Sequence, residues 1–219
     1  MAPDPALAEP TLLAVAQREP PEAPVAPEVP PSIPTRGSRL GRWIGRTGLS
    51  VAGWKVTGHL PDTGRLVIIV APHTSNWDFI AGFWAYLALD LHATWFGKHT
   101  LFIGPFGALL RHFGGIPVHR ESRDASLLVD RSAEEFGRRE QMLLAIAPEG
   151  TRRKVTEWKS GFWRIADRAG VPIVPVALDF RLRRVIIGAP VRTSGDREGD
   201  IARIRALYTG ITPRHPAQF

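Results

Sequence analysis

A histidine and an aspartate five positions apart follow directly on the most strand-like run of the chain. That run, residues 66–70, is apolar, continuous and rich in β-branched residues, as in a strand buried on both faces of a sheet. His73 follows the strand, and Asp78 precedes an apolar segment long enough for a helix. Open α/β sheets bind ligands at such strand ends, and helix amides can hold a carboxylate that orients an imidazole. The pattern favours His73 as a general base oriented by Asp78, although a structural histidine and a helix-capping aspartate would show the same spacing.

Four segments together have the order and spacing of one known motif set. They are residues 71–78 (APHTSNWD), 114–120 (GGIPVHR), 148–152 (PEGTR) and 171–176 (VPIVPV). Over roughly residues 40 to 190 the chain resembles the glycerolipid acyltransferases typified by 1-acylglycerol-3-phosphate acyltransferase. The resemblance implies that a fatty acyl group moves from acyl-CoA or acyl-carrier protein to the hydroxyl of a lysophosphatidate-like acceptor in phospholipid synthesis. It implies no cofactor beyond the donor substrate, and no metal.

The third motif is the main candidate for binding the acceptor phosphate. By resemblance, Arg152 contacts the phosphate, and Glu149 orders the loop. Gly150 permits close approach of the backbone, Thr151 offers a hydroxyl, and Arg152 offers a two-pronged guanidinium suited to phosphate. Two further basic residues follow Arg152 directly, so a solvated surface charge is the alternative interpretation for that side chain.

Lys98 and Arg120 are further candidates for the same phosphate site, at positions that depart from the family pattern. His119 stands where relatives commonly have an aspartate before the arginine, and Lys98 lacks the acidic residue that often follows two positions later. Arg153 replaces a frequent serine after the third motif. The sequence therefore leaves open whether the acceptor is lysophosphatidate, another lysophospholipid or an aminolipid.

The chemistry of transfer is constrained by residues that the chain lacks. It has no cysteine, which excludes an acyl-cysteine intermediate. Ser75 has no nucleophile-elbow sequence around it, and its ordinary role would be a hydrogen bond in the loop. We therefore expect the acceptor hydroxyl to attack the thioester directly, with His73 as base and Asp78 fixing its tautomer.

The composition predicts an α/β domain preceded by a tail. Residues 1–38 contain 10 of the 20 prolines and no periodic apolar pattern, which predicts a disordered Pro/Ala-rich tail before an acyltransferase domain over 39–219. Alternating segments then predict a single domain with a mainly parallel or mixed sheet flanked by helices. The predicted strands are 66–71, 94–97, 116–118, 142–147, 173–178 and 185–187, and the predicted helices are 78–90, 104–112, 124–136, 161–169 and 198–208.

The charge of the domain suits an anionic partner. The first 38 residues carry two arginines and five acids, a net charge of −3, so residues 39–219 carry +10 of a chain whose total is +7. The longest apolar run, between Asp78 and Asp90, has eleven residues, too few to span a bilayer. Asp4 stands where a secretory signal would be basic, so we expect no such signal. These features predict a peripheral protein on the cytoplasmic face of the cell membrane.

Residues 39–56 are the candidate membrane-contact helix. At helical spacing one apolar arc contains Leu40, Trp43, Ile44, Val51 and Trp54. Arginines to one side of it, Arg39, Arg42 and Arg46, would suit an anionic membrane surface. The alternative is an amphipathic helix packed on its own domain, and three glycines within it each weaken helix formation by about 1 kcal/mol.

Two other classes of function are compatible with the composition alone. A zinc hydrolase could use the seven histidines, but they lack metal-ligand spacing. A non-catalytic basic module that binds membrane or nucleic acid would suit a pI near 10.7 and the arginines at 181, 183 and 184. No nucleic-acid-binding signature accompanies those arginines, so we expect no nucleic-acid partner.

Overall fold

Strands and helices alternate along the chain, as the sequence predicts. The computed structural model describes residues 10–20, 22–118, 125–151 and 154–218. The strands are β1 (Lys55–Thr57), β2 (Arg65–Ala71), β3 (Ala93–Lys98), β4 (Gly115–Val118), β5 (Met142–Ile146), β6 (Ile173–Asp179) and β7 (Arg184–Ile187). The helices are α1 (Leu12–Arg18), α2 (Arg39–Val51), α3 (Asn76–Ala88), α4 (Gly104–His112), α5 (Ala125–Arg138), α6 (Gly161–Ala169) and α7 (Arg197–Ala206). Residue 124, the predicted start of α5, lies outside the described residues.

The described strands form one seven-stranded sheet in the order β1-β7-β6-β2-β5-β3-β4. The pairings are parallel except between β6 and β7. The central strand β2 is covered on both faces, because Val67 and Ile69 belong to one core cluster, and Leu66 and Ile68 belong to the other. This confirms the predicted α/β class with a mainly parallel sheet.

Helices cover both faces of the sheet. One core cluster contains Phe136 of α5, Phe162 of α6 and Ile204 of α7. The other contains Leu49 of α2 and Ala85 of α3. Because β2, β5, β3 and β4 are parallel neighbours, the segments that follow them all leave the sheet at the same edge.

Part of the predicted disordered tail packs on the domain, which corrects that expectation for the described residues between 10 and 38. Leu12 in α1 is fully buried, and its backbone N–H donates to Leu207 O at 2.9 Å. Further along, Val25 O accepts a hydrogen bond from Val56 N–H of the edge strand β1 at 2.8 Å. Apolar side chains between the prolines are buried against the domain, and the backbone of this segment accepts a hydrogen bond from the edge strand β1. The proline content therefore does not prevent packing here.

Helix α2 confirms that the predicted segment is helical from residue 39. The helix ends at Val51, short of the predicted end at residue 56, and β1 begins at Lys55. The sequence placed Trp54 on the outer arc, and this is wrong. Trp54 is buried and packs edge-to-face on Phe180, with ring centroids 4.9 Å apart. The other members of the arc are exposed: Leu40, Trp43, Ile44 and Val51.

The glycines of α2 explain why its apolar side chains face outward. A Cβ added at Gly45 would lie 2.3 Å from Ala88 N, and one at Gly48 would lie 2.9 Å from the Trp84 ring. The glycine face therefore packs closely on α3, and the bulky apolar residues remain on the outer face. Within an otherwise unfavourable helix sequence, the glycines allow a close contact between helices.

Candidate active site

Three predicted site segments leave the sheet at one edge. His73 follows β2, Glu149 follows β5, and Lys98 ends β3. These strands are parallel neighbours in the order β2-β5-β3. Lys98 is exposed at that edge. Arg120 and Arg152, the arginines expected to bind phosphate, lie outside the described residues.

His73 and Asp78 come together at the start of α3. The His73 imidazole is 20% exposed, and its Nδ1 lies 3.4 Å from Oδ2 of the buried Asp78 side chain. That distance exceeds a typical N–H···O hydrogen bond of about 2.9 Å. Catalytic contacts of this kind are often long before substrate binds and shorten in the complex. With Nδ1 toward Asp78, Nε2 is the ring nitrogen left for a substrate.

The backbone around Asp78 holds this carboxylate in place. Ser75 is the N-cap of α3, and Asp78 is the third helical residue of a capping box. Asp78 Oδ2 accepts hydrogen bonds from the N–H groups of Thr74 (2.5 Å) and Ser75 (2.6 Å), and Oδ1 accepts one from Ser75 Oγ (3.1 Å). Asp78 thus caps the helix and contacts His73 at the same time. The two interpretations left open by the sequence are therefore compatible.

Glu149 of the third motif reaches across to the histidine. Its Oε2 accepts a hydrogen bond from His73 N–H at 2.8 Å, and the residue is 4% exposed. Burial raises the pKa of Glu149 to about 7, although the bond from His73 N–H and the charge of Arg205 act in the opposite direction, and Asp78 raises it further. Glu149 thus joins the third motif to the backbone of the first.

A lysine that the sequence analysis did not single out lies against the third motif. Gly150 has φ +65° in a turn, where its N–H donates to Ala147 O at 3.1 Å. A Cβ at Gly150 would lie 2.8 Å from Lys159 Cε and 3.1 Å from its Nζ. Lys159 N–H donates to Pro148 O at 2.9 Å, and the side chain is exposed. An ammonium group thus lies beside Gly150, one residue before the half-buried Thr151.

A cavity of about 940 Å³ borders Glu149 on the α7 side of the sheet. Trp158 and Tyr208 line it, and α7 contributes Arg197 and Arg205. Burial raises the pKa of the Tyr208 hydroxyl well above its ordinary value. Arg197 and Arg205 were not expected from sequence, because α7 lies about fifty residues beyond the third motif and only the fold brings it back to Glu149.

Aromatic rings extend away from the histidine along α3 and β3. Phe79, the residue after Asp78, stacks on Phe83 at 5.7 Å between ring centroids. Phe79 also contacts Trp95 at 5.7 Å, and Trp95 contacts Phe102 at 5.8 Å. A row of aromatic rings thus begins one residue after Asp78 on the α3 side of the site.

The described residues contain neither a cluster of metal ligands nor a helix that could span a membrane. Within residues 10–20, 22–118, 125–151 and 154–218, no group of three or more His, Cys, Asp or Glu could hold a metal ion. No helix in the same ranges has the length and apolar character needed to cross a membrane.

The fold places the chain in a known structural class. The crystal structure of the 1-acyl-sn-glycerophosphate acyltransferase of Thermotoga maritima matches it with a TM-score of 0.55. The match covers 78% of this chain and 76% of that chain at 19% sequence identity. The α/β architecture is thus shared with that enzyme.

A family model described as Acyltransferase matches residues 54–179, more than half of the chain. The chain belongs to this acyltransferase family, which confirms the resemblance drawn from the motifs. It is 28% identical over 152 residues to the 1-acyl-sn-glycerol-3-phosphate acyltransferase of Haemophilus influenzae, covering 65% of this chain and 61% of the relative. It is 27% identical over 156 residues to the protein of that name from Escherichia coli, covering 70% and 62%. The chain thus matches about three fifths of the length of these relatives.

Proposed function

We propose that the protein transfers a fatty acyl group from acyl-CoA or acyl-carrier protein to the hydroxyl of a lysophosphatidate-like acceptor. The observation that carries the proposal is the contact of His73 with Asp78, the carboxylate that caps α3, just after the end of β2. The chain that holds this pair belongs to the acyltransferase family. The names of the relatives from two bacteria support the choice of acceptor.

In the proposed mechanism, His73 Nε2 takes the proton of the acceptor hydroxyl as the oxygen attacks the thioester carbonyl. The carbon–sulfur bond then breaks, and the departing thiolate receives the proton from the imidazolium. Asp78 stabilises the imidazolium between these two steps. Direct attack is supported by the state of Ser75, because its hydroxyl donates to Asp78 and accepts from Trp77 N–H at 3.1 Å. A serine engaged in this way is poorly placed to act as the nucleophile.

The acceptor phosphate binds, in this proposal, at the loop after β5. Arg152 remains the principal expected ligand, with Lys98 and Arg120 as further candidates. Lys159 joins this set because its ammonium group lies beside Gly150. A glycine with no side chain at that point lets an anion approach both the backbone and the lysine. The row of rings from Phe79 offers an apolar surface for the acyl chain.

Membrane contact is proposed for the outer face of α2. Leu40 is 68% exposed, Trp43 64% and Val51 85%, whereas the opposite face of the helix packs on α3 through glycines. Exposed tryptophan and leucine beside arginines fit the interface of an anionic membrane. On this basis, we place the enzyme peripherally at the cytoplasmic face of the cell membrane, where lysolipid acceptors would be available.

The test is acyl transfer from labelled acyl-CoA and acyl-carrier protein to a panel of lysophosphatidate, other lysophospholipids and monoacylglycerol. We expect transfer to lysophosphatidate with at least one donor, and much weaker transfer to monoacylglycerol, which lacks the phosphate. Transfer to an acceptor without a terminal phosphate, in preference to lysophosphatidate, would overturn the assignment of the phosphate site. Absence of transfer to the whole panel would overturn the proposed activity.

A further inference from the structure

Helix α4 exposes an apolar face that neither the motifs nor the proposed chemistry uses. We call Ile103, Phe106, Leu109 and Ile116 the α4 face. Ile103 is 73% exposed, Phe106 56% and Leu109 50%, and Ile116 on the edge strand β4 is 42% exposed. The inner side of the same helix is packed, since Gly107 and Leu110 are buried. Exposed apolar surface concentrated on one helix and the adjoining strand is unusual on a freely soluble face.

The charges next to the α4 face along the described chain are basic. Residues 91–118 contain Lys98, Arg111 and three histidines, and no aspartate or glutamate. Glu121 and Asp124 follow in the sequence and lie outside the described residues. The acid that precedes this stretch, Asp90, is buried and bonded to Arg42 at 3.0 Å. An apolar surface with a basic surround matches the boundary of a bilayer that contains anionic lipids. A second copy of the chain fits less well, because two basic rims would repel each other.

Residues at the two ends of helix α4 contact α3, β3 and the segment before α2. Phe113, just after α4, packs edge-to-face on Phe83 of α3, with centroids 4.9 Å apart. Arg36, shortly before α2, donates to His112 O at 3.1 Å and lies 2.8 Å from His112 Nε2. Phe102, at the other end of α4, contacts Trp95 in the row of rings that begins beside Asp78. The fold thus connects α4 to α2 at one end and to the aromatic side of the site at the other.

We propose that the α4 face is a second bilayer contact, separate from α2, and that it docks on a membrane containing anionic lipids. The inference goes beyond the proposed function, because it assigns membrane binding to a surface outside α2 and does not depend on the identity of the acceptor. Contact through α4 would hold the aromatic side of the site against the leaflet. A lipid chain could then reach His73 without crossing water.

The experiment measures partition of the full chain onto vesicles of phosphatidylcholine with and without phosphatidylglycerol. The test variant is Phe106→Gln with Leu109→Gln, and the matched control is Leu127→Gln, a leucine that is 52% exposed on α5. We expect the double variant to lose about tenfold or more in partition onto anionic vesicles, since each buried apolar side chain contributes measurably to interfacial binding. The control should partition like the native chain, and high salt should weaken native binding.

Two outcomes would overturn the proposal. One is equal partition of the native chain and the double variant. The other is a native chain that is dimeric without vesicles and a double variant that is monomeric, which would assign the α4 face to self-association. A short-chain acceptor in free solution separates this test from the proposed function, since its acylation should be the same in the native chain and the double variant. If the native chain transfers nothing, the activity fails while the vesicle result still decides the role of α4.

Discussion

The loops after β2 and β5 approach the same point from neighbouring strands but are held in different ways. We call residues 72–78 the base loop and residues 147–151 the acceptor loop. In the base loop, the hydrogen bonds to Asp78 come from residues three and four positions away. In the acceptor loop, Glu149 bonds to His73, and Pro148 bonds to Lys159, eleven positions further along.

This difference indicates that the two loops have different roles in the site. The Asp78 carboxylate is held by hydrogen bonds from within a few residues, so it can be in place before substrates arrive. Distant segments support the rest of the base loop, since His73 N–H donates to Glu149 and Thr74 Oγ1 accepts from His215 N–H. The acceptor loop depends on contacts between distant segments and presents an exposed ammonium group beside Gly150. Binding of an anion at the acceptor loop would complete the site. We therefore expect changes in the base loop to lower kcat, and changes beside the acceptor loop to raise KM.

The largest effect is expected from His73→Ala. Removing the base should lower kcat for lysophosphatidate by about a thousandfold, within the usual range for general-base catalysis. His59→Ala, at an exposed histidine outside the site, is the control and should retain native activity. Steady-state kinetics with labelled acyl-CoA measure both variants. Loss of less than about tenfold in His73→Ala would mean that another group takes the proton.

Replacement of the orienting carboxylate should have the next largest effect. Asp78→Asn keeps an oxygen that can accept from Thr74 and Ser75, but it lacks the charge that stabilises the imidazolium. We expect kcat to fall by about a hundredfold while the free energy of unfolding changes by about 1 kcal/mol or less. Asp196→Asn is the matched control, since Asp196 caps α7 by accepting from Gly199 N–H. Equal activity of the two variants would mean that Asp78 acts only as a helix cap.

The contact between the two loops should appear in the pH dependence of stability. Since the pKa of Glu149 is raised from 4.5 to about 7 in the folded chain, the folded state binds more protons than the unfolded state between those values. Stability should therefore fall as pH rises from about 4.5 to 7, by up to about 3 kcal/mol, and then stop changing from this cause.

Comparison with Glu149→Gln isolates that contribution. The glutamine can still accept from His73 N–H but does not titrate. Chemical denaturation at several pH values should show the native chain losing stability relative to the variant as pH rises to 7. A constant difference between the two across this range would contradict the raised pKa.

Features that depend on local contacts could be predicted from the sequence, and features that depend on distant contacts could not. The apolar run before His73 and the spacing to Asp78 are local, and β2 and α3 were found within one or two residues of their observed bounds. The end of α6 was also predictable, because Gly170 adopts a left-handed φ of +63° directly after it. Such signals need no knowledge of the rest of the fold.

Features that depend on distant partners were missed or wrong. The packing of α1 follows from contacts of Leu12 with segments near the other end of the chain, and the three-residue strand β1 follows from pairing with β7. Helical spacing continued past Val51 predicts an outer position for Trp54, whereas the chain leaves the helix there and enters β1. Lys159 and Arg205 carry no motif of their own, and only the fold brings them near Glu149.

The smallest effect is expected from Lys159→Gln, which tests the acceptor loop directly. The ammonium group lies beside Gly150 but far in sequence from His73, so its loss should raise KM for lysophosphatidate by about tenfold and leave kcat nearly unchanged. The KM for monoacylglycerol should not change, because that acceptor offers no phosphate.

Lys154→Gln removes an exposed charge from the same segment and serves as the matched control for Lys159→Gln. If both variants raise KM equally, the effect is one of general charge, and Lys159 has no specific place in the site. If Lys159→Gln lowers kcat and leaves KM unchanged, the lysine acts on the reaction step, and the division between a base loop and an acceptor loop fails. A rise in KM confined to Lys159→Gln and to phosphate-bearing acceptors would show that the acceptor loop recruits a cation from beyond the motif.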